Sequence, residues 1–471
     1  MSRKLLLQII LMILLLAIFV VVFRVQNVKA GGTIYIRADG SIDGPANITT
    51  SDYVTYYFTD NNYDSIIVER DNIVVDGAGY TLQGTVYEIG ISMTWRSNVT
   101  IKNMEIKAFG CGIYLDCSSN SIISGNNITA NNYYSIGLDS SSNNSVSGNK
   151  LTANNLYGIC LYSSSNKNSI TGNNITANTD DGIILTSSNN NSISGNNIAD
   201  NGNGIYLGFS SNNNSISGNN IMNNECGIYI IRTSNNTFYH NNIINNTQQV
   251  DFYESDYTNF WDNGVEGNYW SNYTGVDSDH DGIGEAHHKI DASNIDYFPL
   301  IGKFSSFNTF LGYKVNVISN STISNFKLGL QMQLPKLGFN VTSIFFYVTG
   351  ETGMGFCRIC IPRSLLNETY KVFVNGTEVP YSPLPCSNDT HSYLYFNYTH
   401  STQEVIIIPE FPSLIILPLF MIATLLSALV YRGKKSKMSV VASFYQIDIS
   451  SASYKNSVLL VEISDFKWES L

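Results

Sequence analysis

The stretch Asn191-Ser-Ile-Ser-Gly-Asn-Asn-Ile-Ala-Asp-Asn201, followed by Gly204-Ile-Tyr-Leu207, decides the fold. Its aliphatic residues are Ile193, Ile198, Ile205 and Leu207. They have counterparts at Ile170, Ile175, Ile183 and Leu185 on one side and at Ile216, Ile221, Ile228 and Ile230 on the other. The glycines of the Ser-Gly-Asn and Thr-Gly-Asn triplets, Gly125, Gly148, Gly172, Gly195 and Gly218, recur about every 23 residues. No helical face fits apolar positions that come in pairs two apart and are split by Gly and Asn. Each unit therefore predicts three short strands joined by tight turns. One unit cannot bury its aliphatic side chains, but stacked units share a continuous core. The expectation is an all-β chain whose body is a right-handed parallel β-helix of about eight rungs of about 23 residues. Left-handed hexapeptide helices use shorter turns.

Asparagine fills the turns in columns. One runs Asn126, Asn149, Asn173, Asn196, Asn219, Asn241. A second runs Asn127, Lys150, Asn174, Asn197, Asn220, Asn242, and a third Asn131, Asn154, Asn178, Asn201, Asn224, Asn246. Asn tolerates the left-handed backbone of turns, and stacked amides can bond from rung to rung. All three columns are read as structural. Asn127 and Asn174 are expected to face inward.

Less regular coils precede the repeats at Ile66 to Val68, Ile73 to Asp76 and Val99 to Ile106. The expected organisation is a signal peptide or N-terminal anchor at 1–30, an N-terminal cap at 31–64 and the β-helix at 65–250. An aromatic and acidic C-terminal cap follows at 251–300. Tyr253, Tyr257, Phe260, Trp261, Tyr269, Trp270 and Tyr273 there would plug the last coil. Alternating runs at 301–408, with the hairpin signal Asn375-Gly376, predict a small β-sandwich-like juxtamembrane domain. A sorting motif and C-terminal transmembrane helix at 409–433 and a cytoplasmic tail at 434–471 complete the chain.

The terminal assignments rest on two apolar segments. Leu5 to Phe23 follows Arg3 and Lys4 and leads to a small residue at Ala30. Leu414 to Tyr431 is followed by Arg432, Lys434, Lys435 and Lys437, and the positive residues stay on the cytoplasmic side. Everything between is expected outside, anchored to the membrane at the cell surface. Asn98, Asn143, Asn272, Asn340 and Asn397 begin glycosylation sequons there.

Charged residues are only 13% of the 471, with a net charge of −11. That argues against nucleic acid as a partner, since phosphate contact needs a basic face. Divalent cations and surface glycans are better matched, and oligomeric state is not legible. The seven cysteines are scattered rather than arranged as a disulfide framework. Cys357 and Cys360 lack a second pair at zinc spacing, and a bridge from one of them to Cys386 is allowed. Cys111 and Cys226 lie too many rungs apart to bond.

The Ser-x-Ser-Gly-Asn-Asn-Ile … Gly-Ile-x-Leu repeat resembles the β-helix repeats of NosD-type proteins, grouped with carbohydrate-binding and sugar-hydrolase β-helices. The segments Gly267-Asn-Tyr-Trp-Ser-Asn-Tyr, Asp277-Ser-Asp-His-Asp-Gly-Ile-Gly and Asp296-Tyr-Phe-Pro-Leu resemble that family's closing segment. Thr33-Ile-Tyr-Ile-Arg-Ala-Asp-Gly and Ile73-Val-Val-Asp-Gly are similar to archaeal surface members, and Pro409-Glu-Phe-Pro to archaeal sorting signals. The family name implies a copper role in maturing nitrous oxide reductase. The repeats carry no histidine or methionine stripe, so the residues speak against copper.

Asp277, Asp279, Asp281, the Ile283 carbonyl and Glu285 have the oxygen-ligand spacing of a calcium loop, with Gly282 at the sharp turn. Position twelve would be His288, which excludes a full EF-hand. Asn178-Thr-Asp-Asp-Gly182 resembles the Asn-Thr-Asp motif of β-helix polygalacturonases, where paired carboxylates act as acid and base. The partner motifs of that family are missing. Asp180, Asp181 and Asp139 are the catalytic candidates of an alternative reading, a polysaccharide hydrolase or lyase. The preferred reading is a non-enzymatic cell-surface protein for envelope architecture or carbohydrate binding.

Overall fold

The computed structural model describes residues 32–254, 257–330, 342–366, 369–410, 449–455 and 458–463. Both apolar terminal segments and Asn340 lie outside these residues, as do most of the 409–433 and 434–471 assignments. Among the described residues no helix is long and apolar enough to cross a membrane.

The chain divides into two units. The first, through Ser278 and again over Ile283–Phe304, is a parallel β-solenoid of about nine turns. Each regular coil contributes one strand to each of three long sheets; Ser192–Ser194, Asn197–Ala199 and Asn203–Gly208 make one coil. Coils stack in strict register: Ile193 pairs with Ile170 and Ile216, and Ile198 with Ile175 and Ile221. The four aliphatic residues of each unit fill the lumen, and all twelve of the three quoted units are fully buried.

The N-terminal segment read as a cap is itself part of the solenoid. Ile34–Ile36 pairs in parallel with Ile66–Val68, and Thr55–Phe58 with Ile73–Asp76. The antiparallel strands Ile42–Asp43 and Ile48–Thr49 close the sheet edges there. This extra coil accounts for a turn count above the expected eight. At the other end Trp261 stacks on Phe238 at 4.3 Å, and Trp261 and Trp270 plug the lumen. Phe260 and Tyr253 instead stay exposed.

Three corners hold the coils together. The Asn126-to-Asn241 column is continuous and runs one rung further than expected, to Asn268. Each side-chain oxygen accepts from both the backbone and the side-chain amide of the Asn one rung before it. The Asn131-to-Asn246 column behaves in the same way. The column that begins at Asn127 does not. Its members sit on strands and alternate with the buried Ile128 and Ile175, so Asn127 and Asn174 face out of the lumen. The third corner ladder is Asn144, Asn168, Asn191, Asn214, Asn236, Asn259, Asn294.

The second unit, Asp279–Gly282 and Ser305 onward, contains two five-stranded sheets. Side chains from both, among them Val317, Ile359 and Phe396 from one and Phe346, Val372 and Ile407 from the other, form one hydrophobic cluster. Asn375 and Gly376 both adopt positive φ, and the hairpin forms as predicted. Cys111, Cys117, Cys160, Cys226 and Cys357 are free thiols. Cys357 turns its thiol to Ser319 and Tyr398, while the Cys386 sulfur receives the buried Arg358 guanidinium at 3.5 Å.

Candidate functional site

The solenoid's functional surface is the outer face of its longest sheet, whose strands carry the Gly-Ile-x-Leu motif. Ile and Leu point into the lumen, so the residue at x stands on the outside. Successive coils place Tyr114, Gly137, Cys160, Ile184, Tyr206, Tyr229 and Asp251 there. The position before the glycine carries Tyr157, Asp181 and Asn203 in order, and Tyr134, which precedes Ser135, pairs with Tyr157 one coil earlier. The glycine itself is set by space: a Cβ on Gly182 or Gly204 would lie 2.7 or 2.5 Å from the next coil's carbonyl oxygen.

Tyrosine dominates this face. Tyr134 and Tyr157 stack with ring centroids 6.1 Å apart and planes 17° from parallel. Two coils on, Tyr206 and Tyr229 pack at 5.5 Å. The Tyr162 hydroxyl donates to that of Tyr114 at 3.0 Å, which donates to Asp139 Oδ2 at 3.2 Å. The Tyr114 ring lies over Gly137, where a Cβ would approach it to 2.9 Å. Sequence reading passed over these tyrosines, although Tyr114, Tyr206 and Tyr229 stand at x of Gly-Ile-x-Leu; Tyr134 and Tyr157 lie three residues before x.

Asp181 stands between the two ring pairs. It is 3% exposed, and burial pushes its carboxyl up to about 7, against the opposing effect of the Asn203 amide that donates to it at 2.7 Å. Asp180 next to it is half-buried. Tyr157 is lifted to about 12 by burial first, then by the charges of Asp180 and Asp181. Asp139 is not brought to them. It pairs with Tyr162, one coil before Thr186, and so lies two coils and five strand positions from Asp181. Those offsets put it roughly 19 Å away, well beyond the ~5–9.5 Å that separates working glycosidase carboxylates. Asp139 therefore does not form an acid–base pair with Asp181 across one bond.

The acidic loop keeps part of its expected ligand set. Carboxylate oxygens of Asp277, Asp279 and Glu285 lie within 4.8 Å of one another. Glu285 also accepts from the Ser278 amide at 2.5 Å. Asp281 is engaged elsewhere: its carbonyl accepts from Arg358 at 2.7 Å and its carboxylate pairs with the same guanidinium at 3.5 Å. Ile283 is bridged to Leu300. Of the sequons, Asn98, Asn143, Asn272 and Asn397 are exposed.

The profile of the right handed beta helix region matches residues 24–175, 89–243 and 157–283, together more than half of the chain. The chain belongs to this family. Similar solved structures include the periplasmic alginate epimerase AlgG, 17% identical over 50% of this chain and 70% of that one, with a TM-score of 0.30. The Azotobacter vinelandii mannuronan C-5 epimerase AlgE6 A-module is 14% identical over 49% and 90%, with a TM-score of 0.31. Pectate lyase Pel9A is 16% identical over 50% and 71%, with a TM-score of 0.32. At such identities the likeness concerns the fold and assigns no ligand. No curated protein sequence matches the chain.

Proposed function

We propose that this β-helix protein is a non-enzymatic, surface-displayed carbohydrate binder, and that sugar docks on the tyrosine face of its longest sheet. The observation that carries the reading is the pair of tyrosine platforms, Tyr134–Tyr157 and Tyr206–Tyr229, flanking Asp181. Aromatic faces offer apolar area with fixed geometry, and their hydroxyls with Asp181 and Asn203 supply polar partners. The wide separation of Asp139 from Asp181 supports binding over cleavage. Display outside the membrane rests on the two apolar segments and the basic residues after Tyr431.

A glycan array and a polysaccharide-cleavage screen of the full-length protein test the proposal. Binding without product release is expected, with Tyr134→Ala and Tyr206→Ala each weakening it about tenfold, as loss of one stacking partner should. Product release abolished by Asp181→Asn would make the protein an enzyme and overturn it. Calcium in the Asp277, Asp279 and Glu285 loop is the matching structural proposal. Chelator should lower the melting temperature, calcium but not copper should restore it, and Asp279→Ala should abolish the response. A melting temperature indifferent to both would remove calcium from the account.

A further inference from the structure

We infer, building on the carbohydrate reading, that the ligand is an uncharged polysaccharide crossing the coils obliquely from one tyrosine platform to the other, with Asp181 as the residue that turns polyuronates away. The first support is the charge on the face. Its strands from Cys111–Asp116 to Gln248–Phe252 carry Asp116, Asp139 and Asp251, with Asp181 two residues before the strand Ile183–Thr186, and not one Lys or Arg. The cations between Phe109 and Arg232 are Lys150 and Lys167. Lys150 lies on Lys150–Thr152, in a different sheet. Lys167 sits in the corner between Tyr162 and Ser169. Arg232, just beyond the strand Cys226–Ile231, is held by Glu254 through contacts of 2.6 to 3.0 Å. A chain of sugar carboxylates would find nothing here to neutralise it, and like charges brought together cost several kcal/mol.

The second support is hydrogen-bond valence. Asp181 is nearly buried, and its Oδ1 accepts from Asn203. An ionised carboxylate is an acceptor only, so a molecule laid against it must bring a donor. Sugar hydroxyls do so, whereas a uronate carboxylate sets lone pairs against lone pairs. Spacing gives the direction. Tyr206 is in register with Cys160, so it stands two coils and three strand positions from Tyr157, roughly 14 Å away on a line oblique to the axis. A chain running obliquely from coil to coil meets both platforms and passes Asp181 between them, while one running straight along the axis or along a strand meets a single platform.

The test compares full-length protein, at pH 8, with neutral chains (glucan, mannan, galactan and chitin oligosaccharides) and with alginate and polygalacturonate oligosaccharides of matched length. The expected result is binding of at least one neutral class, more than about tenfold tighter than either uronate. Affinity should rise with length until the chain spans both platforms. Asp181→Asn should lower the neutral-to-uronate ratio by about tenfold, since it removes the charge and keeps the shape. Uronate preference in the native protein, or a ratio unchanged by Asp181→Asn, would overturn this inference. Should binding remain sensitive to Tyr134→Ala and Tyr206→Ala in that case, the carbohydrate reading would survive. Silence toward every chain, or binding indifferent to both tyrosines, would overturn the two together. Near-ultraviolet circular dichroism and melting temperature identify any variant that has failed to fold.

Discussion

Asp181 and Asp296 are the residues at which burial and charge conflict most clearly. Asp296 is fully enclosed and accepts from the Asn268 backbone amide and the Trp270 indole at 2.8 Å each and from the Phe298 amide at 3.1 Å. Desolvation nevertheless lifts its carboxyl to about 7, as it does that of Asp181. An unfolded Asp loses its proton near pH ~4. Between that pH and 7 the folded chain therefore binds more protons than the unfolded one, and stability falls as pH rises through this window. The melting temperature is expected to be higher at pH 5 than at pH 8, and Asp181→Asn should flatten part of that slope. A native protein equally stable at both values would contradict the assignment. Gly267 belongs to the same contact, because a Cβ there would lie 1.9 Å from Asp296 Oδ1. Sequence placed Gly267 and Asp296 in one closing segment, but only the folded chain shows that the first makes room for the second.

At the scale of the element, the corner ladders are directional. In the first, every side-chain oxygen faces the Asn one rung before it, so the amide dipoles add; each Asn gives one side-chain N–H to the next Asn and the other to a carbonyl of the preceding coil, and the last, Asn268, donates into the Asp296 carboxylate. The third ladder ends likewise, with Asn294 donating to both oxygens of Asp291 at 3.1 and 2.9 Å. An anion at the positive end of aligned dipoles is stabilising, by the logic that places acidic residues at helix N-termini. Position within a coil therefore matters more than residue type. Asn196→Ala would remove the acceptor of the Asn173 backbone N–H and of one of its two side-chain N–H groups, the other staying on the Val146 carbonyl, and the Asn196 donor to the Ile170 carbonyl, at about 1–3 kcal/mol for each stranded group. Asn197→Ala, one residue on, removes a bond to Asn174 on the outer face and should cost below about 1 kcal/mol. Urea unfolding of the two variants checks the contrast, and equal losses would mean the buried ladder contributes little. The first two ladder phases were legible, because identical residues recur at one spacing. The third was not. It opens the repeat unit at Asn191, where neighbouring Asn189 and Asn190 blur the column.

At the scale of the whole molecule, each solenoid coil contacts mainly its neighbours, so stability should build coil by coil. Deleting Ser192–Asn214 joins Asn191 directly to Ser215, which occupies the same register position as Ser192. The shortened protein should fold with its parallel-β circular dichroism intact and melt several degrees lower, whereas collapse to an unfolded chain would refute nearest-neighbour stacking. The sequence by itself determined the coil, its three strands, the lumen-filling Ile and Leu positions and two of three Asn ladders. These features follow from local periodicity, and stacking merely repeats them. It also marked the closing aromatic segment and the two-sheet second unit. The outer face was a different matter. Its tyrosines occupy variable positions, so no column announced them, and only register brings Tyr157, Asp181 and Tyr206 onto adjacent coils. Tertiary structure likewise decided that Asp139 stands apart from Asp181 and that Asp281 goes to Arg358 rather than to the acidic cluster. Pattern repeats because the core must be filled in every coil, whereas a site is built from the positions that the pattern leaves free.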